Sequence, residues 1–134
     1  MTPSATIKGR LAGITAVTTL VGTRVYVDLL PQKPTLPAIR VQRISELEDA
    51  HLRGARAIRR ARVQVDAIAA SLETATAVSD AAHGDGAGSG LAGFEGEISG
   101  QRVMAVLPSD TRSDYEGDEL RQWRVSRDYI VWMR

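Results

Sequence analysis

The sequence predicts a single α+β domain, a mostly antiparallel sheet with two helices packed on one of its faces. Two segments place apolar residues at helical spacing, and several other runs alternate apolar and polar residues as half-buried strands do. The third observation is length: 134 residues supply one core, since a second could not bury enough apolar surface to offset its ordering entropy. Hydrophobic content of 43% beside 25% charge is that of a folded chain rather than a disordered one. Aromatic residues make up only 4%, so the core has to be built from Ala, Val, Leu and Ile in closely packed layers.

Ile7, Leu11, Ile14, Val17 and Val21 fall at three- and four-residue steps. They share one stripe of a helix of about four turns. Ser4 or Thr6 is available to cap its start, and Gly22 stands where a C-terminal glycine belongs. "RVYV" (24–27) has the β-branched and aromatic character of a short strand. Pro31, Pro34 and Pro37 stop it and make 28–37 an extended, stiff connector. In "AIRVQRIS" (38–45) Ile39 and Val41 face away from Arg40 and Gln42, and Ile44 breaks the alternation, which predicts a β-bulge. After a polar loop, "RRARVQVDAIAA" (59–70) sets Ala61, Val63, Val65 and Ala67 against Arg60, Arg62, Gln64 and Asp66.

Ser71 opens a second helix, with Leu72, Ala75, Val78 and Ala82 on its stripe and Gly84 closing it. "GDGAGSGLAG" (84–93) carries so little side-chain surface to bury that it predicts a mobile loop. "FEGEISGQRVMAVL" (94–107) resumes extended structure. The last strand, in "LRQWRVSRDYIVWM" (120–133), puts Trp123 and Trp132 on opposite faces. With the helices on one sheet face, the other carries Arg60, Arg62, Gln64, Asp66, Arg124 and Asp128, as plain solvent surface or as a surface for another subunit.

The net charge of +1 conceals a skew. Of 17 basic residues only Lys8 and Lys33 are lysines. Arg53, Arg56, Arg59, Arg60 and Arg62 form a block without an acid, while Asp110, Asp114, Glu116, Asp118 and Glu119 form an acidic one relieved only by Arg112. Arginine's planar fork suits partly buried ion pairs and phosphates better than lysine's point charge. The two blocks are either solvated faces or patches that meet head to tail between identical subunits.

Chemistry finds little purchase in this sequence. With no cysteine there is no disulfide and no thiolate metal ligand. His51 and His83 have no partner at metal-ligand spacing, and His83 falls in the last turn of its helix, where it would serve the helix dipole. Gly88, Gly90 and Gly93 satisfy G-x-G-x-x-G but follow a helix and precede a strand, the reverse of a dinucleotide site. "SDTRSDYEGDE" (109–119) misses the spacing of a calcium loop and reads as a solvated acidic loop. Glu95 and Glu97 share a strand face, a spacing common in exposed strands, and no serine sits in a nucleophile elbow. No catalytic, cofactor-binding or metal-ligating residue is assigned. The arginines of 53–62 could contact phosphates, which is the alternative reading of a nucleic-acid-binding module. Against it stand a pI of 8.2 and the absence of interleaved aromatics. No apolar run reaches the roughly 18 residues of a membrane span, and the N-terminus lacks a signal layout, so a soluble, non-secreted protein without a membrane partner is expected.

Nearly the whole chain resembles the tail completion, or tail terminator, proteins at the neck of long-tailed double-stranded DNA phages, prophages and gene transfer agents. The resemblance rests on "LVGTRVYVDLLPQKPTLPAIRVQRIS" (20–45) after the first helix, on "RRARVQVDAIAA" with its trailing helix, and on "DYEGDELRQWRVSRDYIVWM" (114–133). It implies a structural, non-enzymatic virion protein assembled in the bacterial host cytoplasm. It further implies a ring, typically hexameric, that ends the tail tube and joins it to head connector, adaptor or stopper proteins, with DNA passing through its lumen without specific recognition. By the same implication Arg56, Arg59, Arg60 and Arg62, the acidic Asp114, Glu116, Asp118 and Glu119, and Trp132 are the candidate subunit or neck-partner contacts.

Overall fold

The computed structural model describes residues 2–49, 58–117 and 121–134. The chain begins with helix α1, Pro3–Ala12. The Thr2 side chain accepts from the Ala5 N–H and Pro3 occupies the first turn, where its missing N–H costs nothing. The cap is therefore Thr2 rather than Ser4 or Thr6, both of which lie buried inside the helix. A second helix, α2, runs over Thr15–Val21. The predicted four-turn helix is thus two helices. Its stripe is real, for Ile7, Leu11, Ile14, Val17 and Val21 are all buried. The helix breaks at Gly13, whose N–H turns back to the Arg10 carbonyl, a position where glycine's backbone entropy weakens a helix most.

Gly22 ends α2 at φ 59°, the left-handed region that glycine enters without a Cβ clash. Strand β1, Val25–Val27, follows. The proline connector then leads to β2, Ala38–Asp49. Its register shifts between Arg43 and Ser45, so the bulge falls at Ile44 as its sequence pattern predicts. β3 spans Ile58–Ala69 and α3 spans Leu72–His83, capped by the Ser71 hydroxyl accepting from Thr74 N–H. β4 (Gly96–Ile98), β5 (Gln101–Glu116) and β6 (Gln122–Met133) complete the chain.

The strands form one sheet in the order β1-β2-β3-β6-β5-β4. All neighbouring pairs are antiparallel except β1 with β2, so the sheet is mixed. Three helices rather than two cover one face. Their apolar stripes meet Ile39, Val41, Val63, Tyr129 and Val131 in a single core. The small side chains Ala75, Val78 and Ala82 bring α3 down onto β3 and β6. The segment expected to be a solvated acidic loop is mostly strand: residues 110–116 belong to β5 and pair with β6. Alternation fails to reveal it because its acids and hydroxyls occupy both faces, beyond the reach of the helices.

The glycine-rich segment also buries more than its composition suggests. Leu91 and Ala92 are in the core. Arg10 donates to the carbonyls of Gly88, Ser89 and Gly90 and stacks over Phe94 at 4.1 Å. Gly90 packs so closely that a Cβ there would stand 2.6 Å from the Ala82 carbonyl oxygen.

His83 lies in the last turn of α3. Its Nδ1 lies 2.9 Å from the Tyr129 hydroxyl, and burial, with the nearby Arg127, holds its pKa below 6.5 against the opposing pull of Asp80. Tyr129 itself is pushed up to about 12 by burial. Because the unfolded histidine takes up a proton near pH 6.5 and the folded one only at lower pH, this group's stability is intact above that value and declines as pH falls below it. The melting temperature should therefore drop between pH 7 and 5, and His83→Gln should flatten that part of the curve in a thermal-melt series.

Candidate interaction surface

The sheet face away from the helices is uncovered by any described element. Registry places its side chains in rows, because alternate residues of aligned strands point the same way. Leu47, Arg60, Trp132 and Ala105 form the row at one end, followed by Ser45, Arg62, Ile130 and Leu107. The middle rows are polar: Gln42, Gln64, Asp128 and Asp110, then Arg40, Asp66, Ser126 and Arg112. Ala38, Ile68, Arg124 and Asp114 lie beyond them.

The polar rows form one connected network. Asp66 is fully buried: its Oδ2 accepts from Arg40 Nε at 3.0 Å and Nη2 at 2.8 Å, and its Oδ1 accepts from Gln64 Nε2 at 2.7 Å and Ser126 Oγ at 2.6 Å. Asp128, 4% exposed, accepts from Arg62 and from Arg112. Arg112 also donates to Gln64 Oε1 at 2.9 Å and to Asp110 at 2.8 Å. That bond to Arg112 is the main reason the exposed Asp110 carboxyl sits below its usual range, while Asp128 and Asp110 raise Arg112. The four long strands are thereby tied by charge across the uncovered face. Buried ions need such full pairing, since each costs several kcal/mol to desolvate.

Among the described residues nothing groups as a catalytic constellation. A groove of about 410 Å³ beside the proline connector is lined by Leu30, Pro31, Gln32, Lys33, Pro34 and Gln122, with Lys33 the one charged side chain among the described residues there. Among the described residues no three His, Asp or Glu side chains are grouped to hold a metal. Among the described residues no helix is long and apolar enough to cross a membrane. Gly88, Gly90 and Gly93 stand between α3 and β4, so the run follows a helix and leads to a strand, the reverse of a dinucleotide site.

The sequence pattern of the family described as "Tail completion protein gp17" matches residues 5–134. The chain belongs to that family. It is a structural protein of a virion tail. Among solved structures, a chain of the "Virion of native gene transfer agent (GTA) particle" is similar to it, at 20% identity and a TM-score of 0.63, over 98% of this chain and 93% of the other. At that identity the likeness concerns the fold. No curated protein sequence matches.

The candidate contacts of this tail completion protein are dispersed. Arg62 is spent on Asp128, at 2.9 Å. Arg59 points to the helix side, where Glu46 lies at 3.5 Å and Gln101 at 3.2 Å. Asp114 pairs with Arg124 at 3.2 Å. Glu116 lies in β5 opposite Gln122. Arg56, Asp118 and Glu119 fall outside the described residues. Arg60 and Trp132 do come together: the guanidinium stands 5.6 Å over the indole, on the uncovered face. Arg60 makes no salt bridge among the described residues. The partners that close the network, Arg40, Ser126 and Arg112, are not among the candidates, and the one sequence signal for them is that Arg112 is the single cation in an acidic run.

Proposed function

We propose that this tail completion protein assembles into a ring of six copies at the virion neck, at the top of the tail. There the ring ends the tail tube, joins it to the head connector, and leaves a lumen through which DNA passes without sequence recognition. The observation that carries the reading is the uncovered sheet face, where Asp66 and Asp128 are fully paired across four strands. Such a face is a stiff plate with its charges already satisfied, suited to bearing load between subunits and poorly suited to binding a small substrate. Family membership supplies the tail, and the sheet ends in a short strand on each side, β1 and β4.

DNA binding by the arginine block is the weaker reading, because Arg59 and Arg62 would have to abandon carboxylate or amide partners to reach phosphates. Negative-stain microscopy of the purified protein, alone and mixed with tail tube protein, tests the proposal. Annuli with six-fold rotational symmetry are expected, free or capping tubes. A protein that stays monomeric at high concentration in both preparations would end the reading.

A further inference from the structure

The uncovered face is polar in its middle and apolar at one end. Leu47 and Leu107 are 57% and 49% exposed there, beside the half-buried Ile130 and Trp132. A groove of about 310 Å³ opens on this shelf, lined by Ser45, Leu47, Arg60, Arg62 and Ile130. Leu47 stands on β2, Ile130 and Trp132 on β6, and Leu107 on β5, so the apolar ground crosses the strands instead of following an edge. From β2 to β5 the crossing is about 14 Å, the reach of roughly four residue steps of extended chain.

The charges of the face are balanced everywhere except at this end. Arg40 is held by Asp66, Arg62 by Asp128, Arg112 by Asp110 and Asp128, and Arg124 by Asp114. Arg60 has no carboxylate partner among the described residues. Its guanidinium lies over the Trp132 ring at 5.6 Å, and a guanidinium stacked on a ring still donates in its own plane. Among the described residues the unspent cation of the face thus stands in its apolar part.

That combination selects the chemistry of an occupant. A phosphate would gain Arg60 alone, since Arg62 is committed to Asp128, and would leave Leu47, Leu107 and Ile130 in water. An acidic side chain with apolar neighbours on the same side answers both features. Its carboxylate meets the Arg60 fork, and its neighbours cover the leucines and exclude water from the pair. We propose that the shelf binds a short extended segment of a partner protein carrying an acid with an apolar residue two positions to either side. In an extended chain those three side chains share one face, and together they span the same length as the shelf. The segment lies across β2, β3, β6 and β5 with its carboxylate on Arg60. The proposal holds whether or not copies of this chain form a ring.

The probe is a capped, fluorescently labelled peptide, Leu-Ser-Glu-Ser-Leu, with its Gln and Lys counterparts as controls, titrated into the full chain and followed by anisotropy. The Glu peptide should bind at least about tenfold more tightly than either control. Arg60→Gln should erase that preference, and Arg60→Glu should reverse it toward the Lys peptide, a swap that loss of structure cannot produce. Both variants replace an exposed side chain and should leave the fold intact. Arg121→Glu, an exposed arginine just before β6 at the far end of the sheet, should change nothing. If it weakens the Glu peptide as much as Arg60→Glu does, the effect is net charge and the shelf is not the site. Equal binding of the three peptides, or no binding at millimolar concentration, overturns the proposal. An oligothymidylate that binds through Arg60 more tightly than the Glu peptide gives the shelf to phosphates and overturns it as well. Self-association of the wild-type protein that Arg60→Glu abolishes in sedimentation gives the shelf to a second copy and overturns the separate partner.

Discussion

Asp66→Ala lowers the unfolding free energy by about 3 kcal/mol, the lower end of the range for removing one partner of a buried ion pair. The carboxylate has no solvent exposure and accepts four hydrogen bonds, from Arg40, Gln64 and Ser126. Its loss strands the Ser126 hydroxyl in a buried site and leaves Arg40 without its anion. Arg40 keeps 21% of its side-chain surface in water, which is why the cost stays near the bottom of the range. In a domain of this size the melting temperature should fall by about 10 °C. Asp66→Asn, which keeps the acceptor geometry and loses the charge, should cost less. Asp110→Ala sets the opposite limit, since that carboxylate is 51% exposed and solvent screens surface pairs to little net effect. Urea unfolding of the three variants checks the order. If Asp66→Ala and Asp110→Ala have the same midpoint, the network contributes nothing to stability, and the stiff plate proposed for the ring loses its basis.

Leu91→Ala is expected to cost about 3 kcal/mol, as for other fully buried leucines, although it lies in a segment made mostly of glycine, alanine and serine. Leu91 is fully buried and its N–H donates to the Ala82 carbonyl at 2.8 Å. Around it the backbone approaches itself too closely for side chains: a Cβ on Gly84 would stand 2.3 Å from the Gly90 nitrogen. The glycines are there so that the chain can turn tightly and deliver Leu91 and Ala92 to the core. Gly86→Ala separates the two effects, because nothing lies within 4 Å of its Cβ position and only the backbone strain of φ +82° remains. That strain is worth roughly 1 kcal/mol. Denaturant midpoints near wild type for Leu91→Ala would show that the segment closes over the core without holding it.

The elements most legible in the sequence are those whose signal is local. Ser71, the stripe of Ala75, Val78 and Ala82, and Gly84 announce α3 because a cap, a 3.6-residue period and a glycine stop all act within one helix. The strict alternation of 60–67 announces β3 for the same reason, and the misplaced Ile44 announces the bulge. Less legible was the split between α1 and α2: the apolar stripe runs through Gly13 without a change of phase, so periodicity alone reads one helix where the backbone turns. The parallel pairing of β1 with β2 was also hidden, for three residues carry no mark of the direction of their neighbour.

The candidate contacts divide along the same line. Which residues would be polar and on one face of the sheet followed from alternation, so Arg60, Arg62, Gln64, Asp66, Arg124 and Asp128 were placed together correctly. Which of them would be consumed by pairing did not follow. Arg62 meets Asp128 across 66 positions and Ser126 meets Asp66 across 60, through register set by hydrogen bonds between strands far apart in the chain.

The amino-acid sequence by itself determined the helical stripes, the strand alternation and the membership in a tail completion family, because each is written in short-range order or in overall pattern. Only the tertiary structure decided that Arg59 and Arg62 of the basic block are already paired, and that Arg60 and Trp132 stand at the opposite end of the sheet from Tyr115. The physical reason is that charge is local to a residue while neutralisation belongs to a pair, and pairs are made by the packing of strands that the chain brings together only when it folds.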